Sequence, residues 1–346
     1  MKKKAKLKDI AEALNISIAT VSRALNDKYD INVETKKEVL RVAEELNYRP
    51  NPIAVSLRKN SYHVIGVVLP SIDHYFFSTI LKGVMNKAHK ANYLVIVGES
   101  NHEPDKEKTI LEQFENHGVT GVIVSPTMDP SSDNFSRFRN KRIPFVLVDR
   151  PLVDDRDSFV RYDDPNGAFL AVEHLIEQGY KNIACIKGND SCVISNARYS
   201  GYLKALDQYE ILRNPKHVKK CINLDSKDDG YLLGKQLLLS KNKPDAIFTV
   251  TDEVAAGVYK AANELNIGIP SELGLVGYSN SKLSKHLTPQ LTTVEQPGVE
   301  MGEEAFDYLQ QIMLGSTTIL KKTFDARLIV RGSSTMHAHQ SKMVVA

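Results

Sequence analysis

From residue 62 onward, short apolar runs rich in β-branched residues alternate with stretches long enough to form helices. The runs are VIGVVL, YLVIVGE, GVIVS, PFVLVD, IACIKG, AIFTVTD and LGLVGYS. Apolar residues recur at helical spacing over 75–91, 104–117, 165–178, 198–209 and 253–265. Parallel strands need a crossover connection, which a helix supplies, so this alternation predicts parallel sheets with helices on both faces.

The chain has 346 residues, and its α/β part is too long for one sheet of ordinary size. Two α/β subdomains are expected, with crossings near VDRPLVDDRD and TTVEQPG. Ligands of open α/β sheets bind outside the carboxyl ends of the strands, so two facing sheets should form a binding cleft. We divide residues 61–335 into subdomain N (about 62–162 plus 296–324) and subdomain C (about 163–293 plus 325–335), followed by a tail (336–346).

The first 60 residues have a different pattern, which predicts a small all-α domain. The stretch LKDIAEALNISIATVSRALND fits two short helices joined by a tight turn. Ala11, Asn15 and Val21 occupy the small, turn and buried positions of a helix-turn-helix, and Ser17 suits the N-cap of the second helix. The alternative is a packed helical hairpin with no binding role.

In a helix-turn-helix, the exposed side of the second helix enters the major groove of DNA. Short side chains there allow a close approach, and Arg23 can donate two hydrogen bonds to a guanine edge. The candidate DNA-binding residues of this helix are Ile18, Ala19, Thr20, Ser22, Arg23 and Asn26.

The segment after the second helix predicts one further helix and then a short segment that is only marginally stable as a helix. Val39, Val42, Ala43 and Leu46 recur at helical spacing. The stretch NPIAVSLR (51–58) is too short to be a stable helix alone, which favours folding on contact with a partner.

Positive charge is concentrated in the same region. Residues 1–60 hold 13 lysines and arginines against 8 acidic residues, whereas the remainder holds 32 against 34. A basic surplus beside a helix-turn-helix favours binding to double-stranded DNA, although MKKKAKLK could also be a solvated tail.

These motifs together resemble the LacI family of bacterial transcription regulators. LKDIAEALNISIATVSRALN and ELNYRPNPIAVSLR carry the resemblance in the first 60 residues. It implies a hinge helix at 51–58 that inserts Leu57 into the minor groove, with Arg58 following. It also places Ile18, Ala19 and Arg23 at base-reading positions, where Ile18 and Ala19 depart from the polar residues often found there.

The rest of the chain resembles the effector domain of that family, which has the type I periplasmic-binding-protein-like fold. The matching stretches include VIGVVLPSIDHYFFSTILKGV, DDPNGAFLAVEHLIEQGYKNIACIKG and DAIFTVTDEVAAGVYKAANELNIGIPSELGLVGYSN. The resemblance implies a homodimer that binds operator DNA and a small-molecule effector, a sugar or sugar derivative, in the cleft.

Residues at the strand ends are the candidate effector ligands. An aromatic face could stack on a ring, although Phe77 could equally be core. Arg198, expected at the start of a helix, could instead form a surface salt bridge, and Asp252 could cap the following helix. The full set is His74, Phe76, Phe77, Asp149, Arg198, Asp252, Ser279 and Asn280.

The family usually carries a carboxylate at the position of Ser279. Its loss, beside a fixed positive charge on Arg198, favours an anionic ligand slightly over a plain hexose.

Other functional classes fit the sequence less well. The nucleotide, hydrolase and metalloprotease motifs G-x-G-x-x-G after a strand, G-x-x-x-x-G-K-[ST], G-x-S-x-G and H-E-x-x-H are missing. A periplasmic-type solute-binding protein would have this fold, but no apolar run follows the basic start, as a signal peptide requires. Cys185, Cys192 and Cys221 lack metal-ligand spacing. We therefore expect a cytoplasmic protein with no membrane segment, metal or cofactor, and no catalytic activity.

Overall fold

The computed structural model describes residues 6–25, 31–46, 48, 63–127, 134–150, 156–190 and 192–335. Contacts divide the chain into two compact units, 1–62 and 63–346. Several residues and segments singled out in the sequence lie outside the described residues: Asn26, Leu57, Arg58, the segment 51–58 and the tail 336–346.

The described part of the first unit contains three helices: α1 (Leu7–Leu14), α2 (Ile18–Leu25) and α3 (Val33–Glu45). Ile10, Val21 and Val39, one from each helix, are fully buried against one another. Asn15 adopts the left-handed conformation with φ 54°, which confirms the predicted turn residue. The Ser17 hydroxyl accepts a hydrogen bond from the Thr20 amide at 3.0 Å, which confirms the predicted cap of α2.

The second unit contains two six-stranded sheets, each the centre of one lobe. The sheet of the first lobe has the order β11-β5-β4-β3-β1-β2, with parallel pairing throughout. Its strands are β1 (His63–Leu69), β2 (Tyr93–Glu99), β3 (Gly121–Val124), β4 (Phe145–Val148), β5 (Phe159–Tyr162) and β11 (Lys321–Phe324). Its helices are α4 (Tyr75–Lys90), α5 (Pro104–Asn116), α6 (Ser136–Lys141) and α11 (Gly298–Met313).

The sheet of the second lobe has the order β12-β10-β9-β8-β6-β7, and only the described pair β10–β12 is antiparallel. Its strands are β6 (Ile183–Gly188), β7 (Val218–Cys221), β8 (Ala246–Thr249), β9 (Gly274–Ser279), β10 (Thr292–Glu295) and β12 (Arg327–Ile329). Its helices are α7 (Asp164–Glu177), α8 (Val193–Gln208), α9 (Lys227–Leu238) and α10 (Asp252–Glu264).

Helices cover both faces of each sheet, as the alternating pattern predicted. In the first lobe, α4 and α11 cover one face, and α5 and α6 cover the other. In the second lobe, α7 and α8 lie opposite α9 and α10. One cluster of buried side chains runs through both lobes, with Tyr162 and Tyr278 in edge-to-face contact where they meet.

The chain passes between the lobes three times: from β5 to α7, from β10 to α11, and from β11 to β12. The first crossing comes after Tyr162, because β5 still pairs with β4 and β11. It therefore lies one strand after VDRPLVDDRD, at the division near residue 162 given above, although the sequence pattern did not reveal the strand itself. Within the described residues, no helix combines the length and the apolar character needed to cross a membrane.

Candidate functional site

The second helix of the first unit exposes most of the predicted DNA-binding residues. Ile18, Ala19 and Arg23 are exposed, and Thr20 and Ser22 are half-buried. Val21 and Ala24 are buried on the opposite side, so packing fixes which side of α2 faces outward. Thr20 is held in place, because its hydroxyl lies 2.8 Å from that of Ser17. The exposed side of α2 thus has one long cationic side chain, that of Arg23.

A cleft with a volume of about 830 Å³ lies between the two lobes of the second unit. Its walls come from the carboxyl ends of the strands in both sheets, as expected for open α/β sheets. Five residues of the predicted effector set line it: His74, Phe76, Phe77, Asp149 and Arg198.

The first lobe contributes an aromatic wall at the start of α4. Phe76 and Phe77 are 3% and 5% exposed, so both are core residues that also reach the cleft. Their rings lie 5.6 Å apart in a tilted arrangement. His74 caps the helix, because its Nδ1 accepts a hydrogen bond from the Phe76 amide at 3.2 Å. The wall therefore offers an apolar surface to a ring or a sugar face.

Asp149 and Arg150 form an ion pair directly after β4. Asp149 has a φ of 70°, which places its side chain at the cleft. The Arg150 Nε lies 3.3 Å from Asp149 Oδ2, and its guanidinium carbon lies 5.7 Å from the centre of the Phe77 ring. Burial raises the pKa of Asp149 to about 6, against the opposing effect of Arg150. The carboxylate is thus held in a poorly solvated position at the cleft.

Arg198 lies within α8, not at its start as predicted, because the helix begins at Val193. The guanidinium is 5% exposed and forms a buried ion pair: Nε donates to Asp164 Oδ1 at 2.7 Å. Nη1 donates to the Val250 carbonyl at 2.6 Å, and the group stacks 3.8 Å from the Tyr278 ring centre. The alternative of a surface salt bridge is therefore wrong, and the charge of Arg198 is already matched.

Three predicted residues, Asp252, Ser279 and Asn280, do not line the cleft. The Asp252 carboxylate is fully buried and accepts hydrogen bonds from the Ser281 amide and the Thr293 hydroxyl, at 2.7 and 2.6 Å. Burial raises the pKa of Asp252 to about 7, although these bonds oppose the effect. Its side chain therefore joins α10 to the segment after β9, and the cap of α10 is Thr251.

Ser279 and Asn280 lie at and directly after the end of β9, and neither lines the cleft. Both have positive φ values, 113° and 47°. Asn280 donates to Glu295 Oε1 at 2.9 Å and accepts from Arg331 Nη2 at 2.6 Å. These contacts connect the end of β9 to β10 and to the chain after β12, which is a structural role.

Several cleft residues were not predicted from the sequence. Two of them are Arg150 and His102, and Nη1 of Arg150 lies 3.3 Å from Nδ1 of His102. Thr251, the neighbour of Asp252, also lines the cleft. The second lobe adds a largely apolar wall that also contains one acidic residue, Asp225. The residues of this wall are Cys192, Val193, Ile194, Ile222, Asn223, Leu224 and Asp225.

Comparisons with known protein families divide the chain in the same way. The profile of the family described as "Bacterial regulatory proteins, lacI family" matches residues 6–51. A "Periplasmic binding protein-like domain" matches residues 172–334.

Full-length relatives are similar along nearly the whole chain. The NTD biosynthesis operon regulator NtdR of Bacillus subtilis is 31% identical over 329 residues, covering 94% of this chain and 98% of the relative. The transcriptional repressor CytR of Escherichia coli is 31% identical over 334 residues, covering 95% and 96%. The ribose operon repressor of Halalkalibacterium halodurans is 33% identical over 296 residues, covering 86% of each.

Solved structures share the fold. The lac repressor dimer bound to operator and the anti-inducer ONPF has a TM-score of 0.80 at 25% identity, covering 96% of this chain and all of that one. A transcriptional regulator from Enterococcus faecium with bound ribose has a TM-score of 0.69 at 28% identity, covering 79% and 98%.

Proposed function

The chain belongs to the lacI family of bacterial regulatory proteins, and from this we propose that it is a ligand-responsive repressor that binds operator DNA as a homodimer. Carbohydrate-metabolism genes are its proposed targets. The observation that carries the proposal is that one chain combines an exposed helix-turn-helix face with a cleft between two lobes.

Direct contacts with the major groove are assigned to α2. Its exposed residues Ile18, Ala19 and Arg23 can approach base edges, and Arg23 supplies the bidentate donor. The segment 51–58 is proposed to fold as a hinge helix on DNA, with Leu57 wedged into the minor groove. A homodimer supplies the twofold symmetry that a near-palindromic operator requires.

The charges of the cleft support a neutral, hydroxyl-bearing effector. Arg198 is paired with Asp164, and Arg150 lies beside Asp149. Because each guanidinium is matched by a carboxylate, the cleft has both donors and acceptors without a large net charge. The expected preference for an anion rested on the missing carboxylate at Ser279 beside the charge of Arg198. Because Ser279 does not line the cleft and Arg198 is paired with Asp164, we now propose a neutral sugar or sugar derivative.

Relatives and structural neighbours support the same ligand class. One relative is named a ribose operon repressor, and one structural neighbour has ribose bound. A sugar ring can lie against Phe76 and Phe77 while its hydroxyls meet Asp149 and Arg198. Effector binding then changes the relative position of the lobes, and so the affinity for the operator.

A periplasmic-type solute-binding protein is the alternative, with an α/β enzyme as a more distant one. The match to a DNA-binding family over residues 6–51 favours the regulator. In this proposal the cleft binds its ligand without transforming it, and the protein acts in the cytoplasm, where its DNA is.

Selection of DNA from a random-sequence library tests this function directly. The full-length protein is expected to enrich one near-palindromic site, because two copies of α2 read two half-sites one helical turn or more apart. Enrichment of no sequence would contradict the proposal and favour the solute-binding alternative.

A further inference from the structure

A close polar contact crosses the cleft between the two lobes. His74 belongs to the first lobe, where it precedes α4, and Asp225 belongs to the second lobe, in the segment between β7 and α9. The His74 Nε2 lies 3.1 Å from Asp225 Oδ1, and both residues line the cleft. The contact therefore joins the two walls directly.

The hydrogen-bonding roles of His74 follow from its surroundings. Its Nδ1 accepts the Phe76 amide, so this nitrogen carries no proton. The proton is then on Nε2, which faces the Asp225 carboxylate. The ring is also placed beside Phe77, with the two ring centres 5.3 Å apart. The imidazole is thus fixed on its own lobe, and only its Nε2–H group reaches the other lobe.

Asp225 is held in place on its own lobe as well. Its backbone amide donates to Asn223 Oδ1 at 2.9 Å. The carboxylate of Asp229, in the first turn of α9, accepts the amides of Ile222 and Asn223 at 2.7 and 3.0 Å. The segment that presents Asp225 is therefore tied to α9, so a contact with His74 restrains the lobe and not only a loop.

We propose that His74 and Asp225 form a latch that holds the cleft closed and limits the exchange of its ligand. This rests on the proposed function only in that the cleft is the effector site. His74 acts as a positioning residue: it orients one lobe on the other and, as the cap of α4, also fixes the aromatic wall. Loss of either partner frees both walls at once.

Hydrogen–deuterium exchange of the full-length protein without ligand tests the latch. The variant His74→Asn keeps a good helix cap but has too short a side chain to reach Asp225. The variant Asp225→Ala removes the carboxylate and leaves the cap of α4 unchanged. Asp228→Ala is the matched control, because Asp228 is exposed in the same region and does not line the cleft.

Each substitution is expected to increase exchange in the opposite lobe. His74→Asn should increase exchange in 222–226 on the opposite lobe, and Asp225→Ala should increase exchange at the start of α4. We expect a rise of about tenfold, which is the order of effect for the loss of one polar contact with a charged group. The double variant should add little to either single variant, and Asp228→Ala should change neither segment.

Changes confined to the lobe that carries the substitution would overturn the latch, and so would unchanged exchange in both variants. A purely local capping role of His74 predicts the first of these patterns. The measurement needs neither DNA nor effector, so it decides the latch even if DNA selection fails and the proposed function is wrong.

Discussion

Arg23 is the residue on which sequence-specific DNA binding should depend most. It is exposed on α2, where its guanidinium can donate two hydrogen bonds to a guanine. Arg23→Ala should weaken binding to the selected operator by about 1–3 kcal/mol, with a much smaller loss on unrelated DNA. Fluorescence anisotropy with both DNAs measures this difference.

The control is Arg41→Ala, which removes an exposed arginine of α3 that pairs with Glu38 and Glu45. It should leave specificity unchanged. Equal losses on operator and unrelated DNA in Arg23→Ala would show that Arg23 contacts only phosphates.

Asp149 should lower the stability of the protein at neutral pH. Burial raises its pKa from 3.8 to about 6, so between these pH values the folded state binds more protons than the unfolded state. The free energy of unfolding therefore falls as pH rises through this window and stays lower above it. Asp149→Asn should be more stable than wild type by about 1–3 kcal/mol near pH 7.5, and the gain should vanish near pH 4.

Urea unfolding at several pH values measures this gain. Exposed Asp105→Asn serves as the control and should change stability little. A variant less stable than wild type at neutral pH would mean that the contact with Arg150 outweighs the cost of burial.

Sequence patterns locate strand ends well but not the direction of each side chain there. His74, Phe76, Phe77, Asp149 and Arg198 were predicted to meet at the cleft, and they line it. Asp252 was chosen over its neighbour Thr251, but successive residues leave a strand on opposite sides, and Thr251 faces the cleft. The pairing of Arg198 with Asp164 depends on contact between α7 and α8, which spacing along the chain does not show.

At the level of elements, close helix packing should make Gly83 essential. A Cβ at Gly83 of α4 would lie 2.0 Å from the carbonyl oxygen of Val299 in α11. Backbone cannot yield as a flexible side chain can, so Gly83→Ala should destabilise the second unit by about 1–3 kcal/mol or more. Thermal unfolding measures the loss.

Lys82→Ala is the control, because Lys82 is the exposed residue directly before Gly83. It should change stability by less than about 0.5 kcal/mol. Equal stability of the two variants would show that α4 and α11 do not approach this closely.

Helices with strong apolar periodicity were predicted from the sequence with nearly correct ends. Residues 75–91, 104–117 and 253–265 correspond to α4, α5 and α10 within one or two residues. By contrast, α9 was missed because Gly230 and Gly234 disfavour an isolated helix. In the fold, Gly230 is required, since a Cβ there would lie 2.2 Å from the Val254 carbonyl oxygen. Local propensity cannot reveal such a contact.

At the level of the whole molecule, the first lobe has an apolar edge that a second copy can cover. The edge strand β2 exposes Leu94 and Ile96, at 53% and 39%, beside Met85 of α4, at 51%. Exposed apolar edge strands favour association. We predict a dimer formed through this surface, and Leu94→Glu should weaken it by at least about tenfold.

Sedimentation or light scattering over a range of concentrations measures dimerisation. Leu239→Glu, at an exposed apolar position of the second lobe, should leave it unchanged. A tetramer, or a Leu94→Glu variant as dimeric as wild type, would contradict this surface. The sequence predicted two lobes from length and strand number, but an exposed face becomes visible only when the sheet order is known.

Operator affinity measured with a panel of sugars and sugar derivatives shows whether occupancy of the cleft controls operator binding. For wild type, at least one neutral, hydroxyl-bearing compound should change the operator Kd by about tenfold or more, within the usual range of allosteric coupling. Asp149→Asn should bind the operator normally without ligand and lose most of this response. A response to no compound in the panel, or a full response in Asp149→Asn, would contradict control of operator binding through the cleft.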